Sequence, residues 1–141
     1  AELEEVDGVM CGNDAIAGYA IKALSEKQMA GKVVVTGQDA DLEACQRIVE
    51  GTQAMTVYKP IERLAKVAAK CVVKLAKGEQ IVGKDIGENS VKTTDDGKEV
   101  PYWGLPPIAV TKENMDSVII DLGFHLHDEV YLNVPEENNQ D

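Results

Sequence analysis

Aromatic residues are scarce in this 141-residue chain, with one Trp, one Phe and four Tyr making up 4% of it. Their scarcity disfavours an aromatic-rich β-sandwich. Val, Ile, Leu and Ala supply most of a 44% hydrophobic fraction, which points instead to packed α/β layers. Basic residues are also few. Fourteen Lys and Arg face 25 Asp and Glu, and a formal net charge of −11 repels nucleic acid and anionic lipid alike, so neither is an expected partner. No apolar run approaches the roughly 20 residues that cross a bilayer. The opening AELEEVDGVM has neither an initiator Met nor a leader pattern, so the chain reads as the later part of something longer.

Motifs of catalysis are missing too. The three cysteines, Cys11, Cys45 and Cys71, show no C-x-x-C spacing and each lies in an apolar periodic segment, so they are expected as buried small hydrophobes. Gly12 and Gly37 form neither G-x-G-x-x-G nor a Walker loop, which leaves phosphate and dinucleotide cofactors unsupported. No Ser or Cys stands in a nucleophile elbow, so an enzyme is not expected. His125 and His127, in His-Leu-His-Asp-Glu, would share one face of a strand as metal ligands, but a polar surface cluster is the commoner reading and no metal is expected.

What is present is a pair of β-α units running in the same sense. An apolar run over 6–10 ends at Cys11-Gly12-Asn13-Asp14, where Asp14 is placed to cap a helix built on Ile16, Ala17, Ala20, Ile21 and Leu24. Residues 33–36, Val-Val-Val-Thr, have the composition of a buried parallel strand, closed by Gly37-Gln38-Asp39. A helix with Leu42, Cys45, Ile48 and Val49 on one side follows to Gly51, and 53–58 forms a third strand that delivers Lys59 and Pro60. Right-handed crossovers make these strands neighbours in one parallel sheet, with Asn13, Asp39 and Lys59 on the rim where open α/β sheets hold small ligands.

Those three side chains suit a carbohydrate. Vicinal hydroxyls both donate and accept, and planar carboxylate and carboxamide groups bond two at once, with a cation biasing neighbouring oxygens. The alternative is that Asn13 and Asp39 cap helices and Lys59 is a solvated residue before a proline.

Beyond Pro60, a broad apolar stripe of Ile61, Leu64, Ala65, Ala68, Cys71, Val72 and Leu75 predicts a helix stopped by Lys77-Gly78. Asp96-Gly97 predicts a turn between 91–93 and 100–103, a hairpin on the surface. Trp103 could stack on a sugar, although an aromatic against a hinge or partner is commoner. After Pro106-Pro107 a brief strand spans 108–110, then Thr111 is expected to cap a helix through about Leu122, with Gly123 ending it. The segment 124–134 alternates loosely, and 135–141 is an acidic tail expected to fray.

VDGVMCGNDAIAGYAIKAL, KVVVTGQDADLEACQRIVEGTQAMTVYKP and LAKVAAKCVVKLAKGE together resemble the carboxyl-terminal portion of the sugar-binding proteins of ABC transporters, most of all those that bind D-xylose. The resemblance implies a parallel-sheet, Rossmann-like α/β lobe of a type I periplasmic binding protein whose amino-terminal lobe is missing from this chain. It implies lobes that close on one sugar, with Asn13, Asp39 and Lys59 as contacts, in an extracytoplasmic protein of the periplasm or the cell surface. Residues 1–59 would form β-α units of one lobe, 60–107 would belong to the other, and 108–134 would return. The implied partners are D-xylose or a related monosaccharide, the missing lobe or a second copy of the chain, and a membrane permease. A sensor of the same fold, signalling to a histidine kinase, is the second hypothesis. A repressor domain is disfavoured, because such domains usually show Gly-Phe-Asp where Gly-Gln-Asp stands here.

Overall fold

The computed structural model describes residues 6–81, 91–102 and 104–134. In chain order its elements are β1 (Gly8–Met10), α1 (Asp14–Glu26), β2 (Val34–Gln38), α2 (Leu42–Glu50), β3 (Met55–Tyr58), α3 (Ile61–Ala76), β4 (Val91–Thr93), β5 (Glu99–Pro101), β6 (Ile108–Val110), a 3-10 turn (Lys112–Asn114), a π-helical turn (Asp116–Ile120) and α4 (His127–Val130). They fall into two units, Ala1–Tyr58 with Ile108–Asp141, and Lys59–Pro107.

The first unit is a four-stranded sheet in the order β1-β2-β3-β6. β1, β2 and β3 are parallel, as their β-α-β sequence requires, while β6 runs antiparallel to β3 with Val57 opposite Ala109. The returning strand adds an antiparallel edge to the parallel sheet that the β-α units form. Right-handed crossovers lay α1 and α2 on the same face. Ala17 and Ile21 of α1, one turn apart, pack on Val35 and Cys11. Ala44, Cys45, Ile48 and Val49 of α2 are buried. Cys45, Ile48 and Val49 share one core cluster with Tyr58, Val110, Met115, Ile119 and Val130. Burying side chains such as Ile48 or Val49 contributes about 1.5–3 kcal/mol each. On the other face of the sheet, among the described residues, Met10 is 92% and Val34 55% exposed.

Several boundaries differ from expectation for local reasons. β2 runs on through Gly37 and Gln38, whose register against Thr56 and Val57 keeps them in the sheet. Asn13, not Asp14, caps α1, its Oδ1 accepting from the amide of Ile16 at 2.9 Å. After β6 the chain does not wind as one α-helix. Asn114 bonds back to the Thr111 amide and to the Ala109 carbonyl, and the following turn widens to π geometry with the Asp121 amide donating to the Asp116 carbonyl. Met115 and Ile119 remain inward and fully buried. Four-residue apolar spacing fits either winding, so the pattern could not distinguish them. Gly123 does end the segment, at φ 72°.

In the second unit β4 and β5 pair antiparallel around the Asp96-Gly97 turn, with Gly97 at φ 81° and the Thr94 amide donating to the Lys98 carbonyl. α3 follows Pro60 as expected, yet buries none of its residues. Ile61, Leu64, Val72, Val73 and Leu75 are 51–64% exposed, and Cys71 is half-buried instead of buried. Trp103 and the tail 135–141 lie outside the described residues.

Candidate functional site

The site is built at the carboxyl ends of β1 and β2. The Cys11 amide donates to the Thr36 carbonyl, and Gln38 Nε2 donates to the Gly12 carbonyl at 3.4 Å, so the loop after β1 is bonded to the end of β2. Asn13 and Asp39, both half-buried, therefore stand on adjacent loops. Asn13 has its carbonyl oxygen engaged as the helix cap. Lys59 directly follows β3 and is the first residue of the second unit, where it lines a small cavity of about 180 Å³ with Leu64, Tyr102 and Leu105.

Asp39 and Ala40 both have left-handed backbones, at φ 106° and φ 57°. Two consecutive non-glycine residues in that region store strain, of order 1–3 kcal/mol each, and persist only when their surroundings over-determine them. The surroundings here do so. The Asp39 amide donates to the Val57 carbonyl at 2.9 Å, the Ala40 amide to Thr56 Oγ1 at 3.2 Å, and the Asp41 amide to Asp14 Oδ2 at 3.0 Å.

Asp14 is the hub. Only 1% exposed, it also accepts from Thr56 Oγ1 at 2.8 Å and from Gln53 Nε2 at 2.9 Å. Arg47 completes the network, donating from Nε to Gln53 Oε1 and from Nη2 to the Asp14 carbonyl, both at 3.0 Å. Its charge offsets that of a carboxylate withdrawn from water. Burial and the neighbouring carboxylates of Asp14, Asp39 and Glu43 raise the pKa of Asp41, while Arg47 opposes the shift. Cys45, beneath the loop, has its thiol pushed up to about 12, first by burial and then by Asp14 and Asp41.

Sequence reasoning missed Asp14 as a hub, along with Gln53, Thr56 and Arg47. The available signal was a pair of polar residues, Gln53 and Thr56, within an apolar strand segment, since a polar side chain at an inward register needs a partner. The histidine cluster resolves differently from a strand face. His125 Nε2 lies 2.8 Å from the Ala40 carbonyl, whereas His127 opens α4 and stacks on Tyr131. Among the described residues no group of three or more His, Cys, Asp or Glu is disposed to hold a metal ion, and no helix is long and apolar enough to cross a membrane.

Chemically, the rim offers a carboxamide and a carboxylate on the loops after two adjacent strands, a pair suited to neutral polyhydroxylated ligands.

A family model described as a periplasmic binding protein domain matches residues 1–80. The chain is 47% identical over 93% of its length to the D-xylose-binding periplasmic protein of Haemophilus influenzae, and 43% identical over 92% to that of Escherichia coli. It spans 38% of the length of each of those relatives. Among solved structures, a carbohydrate transporter solute binding protein from Chloroflexus aurantiacus, in complex with D-glucose, superimposes with a TM-score of 0.71 at 29% identity, over 86% of this chain and 34% of that one.

Proposed function

The chain belongs to the periplasmic binding protein domain family, and from that premise we propose that it forms part of an extracytoplasmic receptor that binds D-xylose, or a close monosaccharide, and delivers it to the permease of an ABC transporter. It binds and does not catalyse. The observation that carries this reading is the 47% and 43% identity to two D-xylose-binding periplasmic proteins across more than nine-tenths of the chain. The adjacency of the loops after the parallel strands β1 and β2 supports it.

In this reading Asn13, Asp39 and Lys59 are the ligand contacts. With its oxygen given to the α1 cap, Asn13 presents its amide hydrogens to a hydroxyl oxygen. Asp39 accepts from two hydroxyls, and Lys59 donates. Residues 59–107 belong to a second lobe, completed by chain beyond these 141 residues, and the two lobes close on the sugar. The exposed apolar side chains of α3 are then covered by that lobe.

Calorimetry on the full-length protein tests the assignment. D-Xylose should bind in preference to ribose and arabinose, because a site that bonds each hydroxyl rejects an analogue that inverts one. Asp39→Ala should cost about 2–4 kcal/mol of xylose affinity, through a lost charged acceptor and hydroxyls left unpaired. Equal binding of all these sugars would remove the xylose assignment, and an unchanged dissociation constant would remove Asp39 from the site.

A further inference from the structure

We propose that His125 is a positioning residue of the ligand site, holding the carbonyl of Ala40 so that Asp39 presents its carboxylate in one fixed direction; this role rests on the reading of Asp39 as a sugar contact. His125 is 85 positions from Ala40 and reaches it from the segment that follows the π-helical turn. At 2.8 Å from a carbonyl oxygen, its Nε2 must carry the proton and donate.

The loop has two sides that need holding. Its amide side is fixed from β3 and from Asp14, by the bonds of the Asp39, Ala40 and Asp41 N–H groups. Its carbonyl side at Ala40, a residue with no exposed surface, is met by His125 and by the weak donor Cys45 Sγ at 3.7 Å. His125 is therefore the strong donor that opposes the amide clamps. Without it the buried carbonyl loses its main partner, and the two left-handed residues lose one of the contacts that over-determine them. The ring is itself positioned. Phe124 packs on His125 with centroids 4.6 Å apart and on Tyr58 at 4.8 Å, so the same dipeptide braces the last residue of β3, directly before Lys59.

The test compares His125→Phe, which keeps a ring but removes the donor, with His125→Gln, whose amide can replace Nε2. Two readouts are taken on the full-length protein: the D-xylose dissociation constant, and hydrogen exchange at the Ala40 and Asp41 amides. The Phe variant should weaken xylose binding about tenfold and speed exchange at both amides about tenfold, and the Gln variant should recover most of each. Xylose binding by His125→Phe within twofold of wild type overturns the proposal. So does a Gln variant as weak as Phe, which would show that a donor to the Ala40 carbonyl does not restore the site. If wild type binds no monosaccharide, the ligand reading fails first; amide exchange then decides separately, and exchange unchanged in His125→Phe shows that the histidine does not hold the loop.

Discussion

Asp14 occupies the space that a side chain at Gly37 would need: a Cβ built there would stand 2.0 Å from Asp14 Oδ1 and 2.8 Å from Gln53 Nε2. Glycine in β2 is thus required by a buried carboxylate on the helix above it, and not by backbone conformation. Gly37→Ala should displace Asp14 from Thr56 and Gln53 and destabilise the protein by about 2–4 kcal/mol, read as a lowered midpoint in chemical unfolding. Asp14→Ala in the Gly37→Ala background should cost less than the sum of the two single changes, because both remove the same bonds.

Tyr131 gives a pH signature. Burial, then the hydrogen bond to Asp116 and its charge, raise its phenol from 10.0 to about 12. The folded state holds that proton more tightly than the unfolded chain, so the contribution to stability is whole below pH 10 and lost as pH rises through 12. A phenolate absorbance titration should show Tyr131 titrating late, a component lost in Tyr131→Phe.

Cysteine reactivity should separate by position. Cys45, buried and with its thiol raised to about 12, should resist alkylation at neutral pH, while half-buried Cys71 on α3 reacts. Mapping the alkylated sites by mass spectrometry checks this; rapid modification of native Cys45 would contradict the buried placement of α2.

The exposed stripe of α3 predicts association. If those side chains belong against another lobe, light scattering on the isolated 15.2 kDa chain should show assembly or dye-binding apolar surface. A dispersed monomer that binds no hydrophobic dye would show that α3 needs no cover.

Much of the frame was legible in the sequence because it is written in local patterns. The β-branched run at 33–36, the apolar spacing of α2 ending at Gly51, and the Pro60 start of α3 all follow from short-range chemistry, and the strand Ile108–Val110 fell where it was expected. The support of the candidate site was not legible. Asp14 looked like a cap because it follows a turn, but Asn13 takes that role and frees Asp14 to turn inward to Gln53 and Thr56, some forty residues away. His125 looked like a possible metal ligand because its partner, the Ala40 carbonyl, is a backbone atom that no side-chain pattern announces. The left-handed pair Asp39 and Ala40 carries no glycine to mark it.

Asn13, Asp39 and Lys59 are proposed to hold one sugar. A crystal structure of the full-length protein with D-xylose tests it most directly. All three side chains should bond hydroxyls of the same xylose molecule, with Asp39 accepting from two. A xylose bound elsewhere, or any two of these side chains too far apart to reach one monosaccharide in the closed protein, would contradict it.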